Sequence, residues 1–125
     1  MSQFTRGAAV LALSLAVLPY TPIGHAADAP AISLTAVNIE YEGSKLWLPG
    51  TLVVKKGSKV TLKLINNVPS DPNQHGFTIP AYNIAEVVTR GEPKTIEFVA
   101  DKEGVFPIAC QLHPAHIGGE LVVLP

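Results

Sequence analysis

VFPIACQLHPAHIGGELVVL, residues 105–124, decides the fold. An apolar run, 105–109, and an alternating run, 120–124, enclose a short loop. That loop holds the chain's only cysteine, Cys110, and two of its four histidines, His113 and His116. Each flank is too short for a helix and of strand length. The unit therefore reads as strand, loop, strand, with the thiol and two imidazoles gathered at one end of a β-structure. Pro114 restricts the loop between the histidines, and Gly118-Gly119 lets the backbone turn into the last strand.

Working outward, the same period of two recurs. Val60, Leu62 and Leu64 alternate with Lys59, Thr61 and Lys63, giving one wet face. Ile96 and Phe98 alternate with Thr95 and Glu97. Leu121 and Val123 alternate less cleanly, because Val122 is also apolar. In 31–41, Ile32 and Leu34 share one phase, while Val37, Ile39 and Tyr41 share the other. That flip predicts a bulge, or a strand that changes sheets. Turn signals at 42–44, 56–58, 68–73, 90–93 and 102–104 separate these runs. No segment keeps a helical period over three turns. The pattern predicts an all-β sandwich or barrel. Pro49 makes 46–49 an edge strand, Trp47 packs at an end of the sandwich, and Lys55, Lys56 and Lys59 form a solvated face.

The first residues read differently. Arg6 precedes an apolar run at 8–20 (AAVLALSLAVLPY) and small residues around Gly24, Ala26 and Ala27. This is the pattern of a secretory signal peptide, and it is shorter than the roughly 20 apolar residues of a membrane span. The expected organisation is a signal peptide at 1–26 and one domain at 27–125, with a periplasmic or secreted location. Removing 1–26 takes away Arg6 and no acid, so the mature domain is mildly acidic. That balance argues against nucleic acid and against an anionic membrane surface. The mature chain is not expected to insert in a membrane; a partner protein would dock on an apolar patch.

One cysteine cannot form an internal disulfide, so in an oxidising compartment it is buried, reactive or a metal ligand. A third histidine, His75, follows a loop rich in Pro, Asp and Asn and begins another short strand. Every histidine and the one cysteine of the mature domain can thus converge from two loops. Thiolate and imidazole together suit copper or zinc, whereas hard cations prefer carboxylates. Cysteine–histidine nucleophilic catalysis is a competing reading. The loop offers it Gln111 but no acid before Glu120. A second cysteine, needed for haem attachment, is absent. The expected metal ligands are His75, Cys110, His113 and His116.

These residues carry a resemblance. The mature chain resembles the cupredoxins, the copper-binding Greek-key β-sandwiches. In that family one histidine comes from an early loop, and a cysteine, a histidine and an axial ligand come from the loop before the last strand. Within the family, the stretches NIEYEG, VKKGSKVTLKLINN, GFTIPAYNIAEVV, GEPKTIEFVADKEGVFPIACQLHP and GGELVV are similar to the nitrosocyanin branch. The spacing of Cys110, His113 and His116 is similar to that of the amicyanins, whose third position is methionine. Two departures from the nitrosocyanin pattern stand out: His75 replaces a glutamate ligand, and the loop between the two later histidines is shorter. The resemblance implies one copper ion cycling between Cu(I) and Cu(II), and one-electron transfer to a redox partner protein. It also implies docking around Pro114, Ala115 and Ile117, and a brace between the ligand loops from Asn66 or Asn67. The usual axial thioether cannot be supplied, since Met1 is the only methionine. His116 is then either the axial donor or an equatorial one. Binding of nitric oxide or an oxygen species at an open copper, and copper storage or delivery, are the alternative functions. Phe77, Tyr82 and Phe106 are expected beneath the site.

Overall fold

A computed structural model describes residues 29–125. The expected signal peptide, 1–26, lies outside the described residues, and no described helix is long and apolar enough to cross a membrane. The chain runs β1 (Ala31–Tyr41), β2 (Ser44–Leu48), β3 (Thr51–Lys55), β4 (Lys59–Asn66), β5 (Gln74–Ile79), a 3-10 turn (Pro80–Tyr82), β6 (Ile84–Thr89), β7 (Lys94–Val99), β8 (Gly104–Ile108) and β9 (Gly119–Leu124).

One sheet has the order β2-β1-β4-β7. The other is built from β3-β9-β8 and the β5-β6 hairpin. These last two pieces are joined where Thr78 and Ala109 exchange backbone hydrogen bonds of 2.9 and 3.1 Å. Parallel pairing of β1 with β4 and of β3 with β9 makes the sheets mixed. The result is the expected all-β sandwich. Its core draws Ala36, Leu52, Leu62, Leu64, Phe77, Val88 and Leu121 from both sheets.

The alternation fixes which faces meet. Val60, Leu62 and Leu64 are buried while Lys59 and Lys63 are exposed. Ile96 and Phe98 turn inward from β7, and Leu121 and Val123 from β9. Trp47 is buried on β2, the edge strand. Lys55, Lys56 and Lys59 are solvated. Glu42 and Gly43, with φ of 48° and 80°, make the two-residue link from β1 to β2. Both residues are in the left-handed region that such a tight hairpin demands.

Two expectations are corrected. β1 has no phase flip: Ile32, Leu34, Ala36 and Asn38 share one inward face. Its pairing with β4 is unbroken from Ala31 to Asn38. Gly118 and Gly119 are not turn formers either, since neither has a positive φ. They allow close approach. A Cβ on Gly118 would meet the Ile108 carbonyl, and one on Gly119 would meet the Gly50 carbonyl. That Gly50 oxygen already accepts the Glu120 N–H at 2.8 Å. Replacing Gly119 by alanine is therefore expected to cost about 1–3 kcal/mol through backbone displacement. The measurement is a urea midpoint; no loss would show that the 50–51 segment yields freely.

Candidate metal centre

The ligand loop is shaped by its own backbone. The His113 N–H donates to the Cys110 carbonyl at 3.2 Å, and the His116 N–H donates to the His113 carbonyl at 3.0 Å. Two successive turns of three residues put positions 110, 113 and 116 on one side, as i and i+3 eclipse in such turns. The Ile117 N–H then donates to the Lys45 carbonyl at 3.0 Å and ties the loop to β2. His75 enters from the other direction, as the second residue of β5 opposite Val88.

The four expected ligands meet. The donor atoms of His75, Cys110, His113 and His116 all lie within 4.8 Å of one another. The imidazole centroids form a triangle, with His75 at 5.2 Å from His113 and 5.0 Å from His116, and His113 stacked on His116 at 4.5 Å. The Cys110 sulfur lies 3.5 Å from His113 Nδ1. His75 and Cys110 are buried, and His113 and His116 are partly exposed.

The residues fit a metal ion. Both ring nitrogens of His75 and the Nδ1 of His116 are buried without a hydrogen-bond partner. A buried polar atom left unpaired is costly, and a metal ion would pair one nitrogen of each imidazole together with the thiolate. Burial pushes the His75 imidazole down from 6.5 to about 4, assisted by the charges of His116, His113 and Lys45. His116 is lowered as well, first by burial and then by His113 and Lys45. Both rings are therefore neutral at neutral pH, the form a metal requires. A set of one thiolate and three imidazoles selects a soft or borderline ion, and with this fold it points to one copper ion.

The bracing differs from expectation. Asn66 is buried, and its Nδ2 donates to the carbonyls of Asn73 at 2.9 Å and Val88 at 3.0 Å. Its Oδ1 accepts the Val68 N–H at 3.0 Å. It braces the His75 side alone, because all its partners lie in 66–73 and β6. Asn67 is exposed and contributes only a backbone N–H, to Asn38. The two ligand segments are joined instead by the Thr78–Ala109 pair and by Gln111 Nε2, which donates to the Glu86 carbonyl at 2.9 Å. A third link is the Gly76 N–H, which donates to the Cys110 sulfur at 3.1 Å. Phe77 packs next to the site, edge-on to Trp47. Tyr82 and Phe106 pack on each other near Lys102, at the far end of β8 from Cys110. Gly76 drew no role from the sequence, and Gln111 only one in the nucleophilic reading. The available signal was a glycine following a histidine inside a strand, where no turn needs it.

Comparison with known proteins agrees with this geometry. The family described as "Cupredoxin-like domain" matches residues 8–123. A nitrous-oxide reductase from Cupriavidus necator is 42% identical over 66 residues. That stretch is 51% of this chain and 10% of the reductase, so the likeness covers a small part of the larger protein. Among solved structures, an auracyanin from Roseiflexus castenholzii superposes with a TM-score of 0.61 at 18% identity, over 78% of this chain and 100% of that one. A copper nitrite reductase from Nitrosomonas europaea gives 0.60 at 23% identity, over 76% of this chain and 42% of that one. At these identities the superpositions speak for the fold.

Proposed function

The chain belongs to the cupredoxin-like domain family, and from that premise we propose that it is an exported one-electron carrier holding a single copper ion with His75, Cys110, His113 and His116. The observation that carries the proposal is the convergence of these four donors within 4.8 Å at one pole of the sandwich. Copper, when bound, supplies the Cu(II)/Cu(I) couple. The protein supplies a site that moves little between the two states. His75 is fixed in a strand and braced through Asn66, and the Cys110–His116 loop is pinned by its own turns and by Lys45.

By its spacing from Cys110 and His113, His116 takes the sequence position of the thioether in the amicyanins. An imidazole favours Cu(II) over Cu(I) more than a thioether does, so a lowered potential and a perturbed, non-blue spectrum are expected. Leu112 and Ile117 are 44% and 53% exposed beside His113 and His116. With exposed Pro114 and Ala115 they offer an apolar surface for a redox partner. The leader pattern at 1–26 is the reason for proposing export.

Titration of the metal-free protein with Cu(II) tests the reading. One equivalent should produce an intense thiolate-to-copper absorption, and Cys110→Ser should abolish it. His116→Met should raise the potential and move the colour towards blue. A Cu(II) titration with no charge-transfer band would sink the proposal. Azide should leave the spectrum unchanged, because four protein donors surround the ion. A shift on adding azide would replace electron transfer with small-molecule chemistry at an open copper.

A further inference from the structure

We propose that Trp47 is a positioning residue for the Cys110 sulfur: its indole holds the Gly76 backbone at its carbonyl so that the N–H of the same residue donates to the thiolate. The proposal rests on copper being held through Cys110. In an antiparallel ladder, alternate residues turn their N–H and C=O away from their partner strand. On β5, Thr78 turns both groups away from β6 and spends them on Ala109. Gly76, two residues earlier, turns the same way. If β8 ran on, Gln111 would take both of its groups. The chain leaves the sheet at Cys110 instead, and the two places are filled by side chains. The sulfur accepts the Gly76 N–H at 3.1 Å, and the Trp47 Nε1–H reaches the Gly76 carbonyl at 2.9 Å.

Each part of this arrangement is built for close approach. A Cβ on residue 76 would collide with the Gln111 side chain and lie 3.0 Å from the Gln111 backbone nitrogen, so a larger residue there would displace that side chain and press on the cysteine loop. Trp47 is 5% exposed, and its ring packs edge-on against Phe77 at 5.2 Å and 83°. The indole–carbonyl bond joins residues 29 apart in sequence, from an edge strand of one sheet to β5, the strand that carries His75. Core packing alone would be served by any large apolar ring. The N–H is what this position adds, since it fixes the carbonyl of the same residue whose N–H touches the sulfur. Hydrogen bonds to a cysteine ligand draw charge from the sulfur and tune the metal. A donor to the thiolate stabilises the electron-rich Cu(I) state more than Cu(II) and therefore raises the potential.

Trp47→Phe keeps a ring and removes the donor. In the Cu(II)-loaded variant the thiolate band should move to lower energy, and the potential should fall. In the metal-free variant the Gly76 amide should exchange roughly three- to tenfold faster than in wild type, the loss of about one buried hydrogen bond. Should Trp47→Phe fail to fold, the benzothiophene isostere of tryptophan at position 47 keeps the volume and still lacks the donor. Phe77→Leu, which disturbs the same packing without touching a donor, should leave the band in place. An unmoved band and potential in a folded donor-less variant would overturn the proposal, as would an equal shift from Phe77→Leu. Absence of any charge-transfer band in wild type would instead overturn the copper reading beneath it.

Discussion

Acidifying the metal-free protein from pH 6.5 to about 4 is expected to remove about 3 kcal/mol of stability through His75 alone. In the unfolded chain this imidazole takes up a proton at its ordinary 6.5, whereas in the folded protein burial delays uptake to about 4. Between those values the unfolded state binds the extra proton, so stability rises with pH across the window and is fully present above 6.5. It is lost as pH falls and levels off below about 4. His116, lowered in the same direction, steepens the loss. Glu40 acts in a lower window. The Ser70 hydroxyl beside it holds its carboxyl below 4.5, so its contribution survives until pH drops under that value. The upper half of the acid range therefore belongs to the metal ligands. Urea midpoints of the metal-free protein at half-unit pH steps measure this, and His75→Gln should flatten the curve between 6.5 and 4.5. A wild-type curve that is flat there would mean that His75 is not held neutral by burial. Saturating copper should raise the midpoint at neutral pH, because it binds the folded state alone, and should lose that advantage in acid as protons compete for the same nitrogens.

The parts of the molecule that could be read from sequence are those where one physical effect dominates. β4 and β7 were legible because large apolar residues sit on one face and lysine, threonine or glutamate on the other. The gathering of His75, Cys110, His113 and His116 was legible because thiols and imidazoles are rare and their chemistry narrow. β1 was misread for an equally physical reason. Two of its inward positions are Ala36 and Asn38, one small and one polar, while Val37 and Ile39 stand on the opposite face, which is itself half covered. Hydrophobicity then points to the wrong face. Asn38, Asn66 and His75 are buried polar residues, three of the four among those described. Periodicity assigns no inward place to such residues: Asn66 is made tolerable by hydrogen bonds to three backbone groups, and the unpaired nitrogens of His75 fit a ligand role. The brace from Asn66 was expected, but its reach was not. Its partners are backbone atoms of Val68, Asn73 and Val88, and no spacing rule records where a carbonyl points. The same holds for Gly76 and Trp47, whose importance comes from where β8 ends.

Asn66→Ala is expected to cost about 2–4 kcal/mol, and Asn66→Asp more. Alanine leaves the Val68 N–H, at a residue with no exposure, without an acceptor. It also takes a donor from the carbonyls of Asn73 and Val88. The Asn73 carbonyl keeps the Arg90 N–H at 2.8 Å, so the loss at that oxygen is partial. The heavier term is the orphaned amide together with the cavity. Aspartate preserves the shape and restores the acceptor for Val68, yet it sets a second oxygen against two carbonyl oxygens where the amide had donated. When ionised, it is a buried charge with no counter-ion among its contacts. Its penalty should therefore grow as pH rises through the carboxylate range, opposite in sign to the His75 effect. For a domain of this size each kcal/mol moves Tm by roughly 4–8 °C, so both variants should be resolved by calorimetry of the metal-free protein. Val88 faces His75 across the hairpin, so loosening Asn66 also frees the first ligand. Copper affinity should fall in both variants along with stability. A surface asparagine would give none of this, and a Tm within about 3 °C of wild type for Asn66→Ala would remove Asn66 from the support of the site.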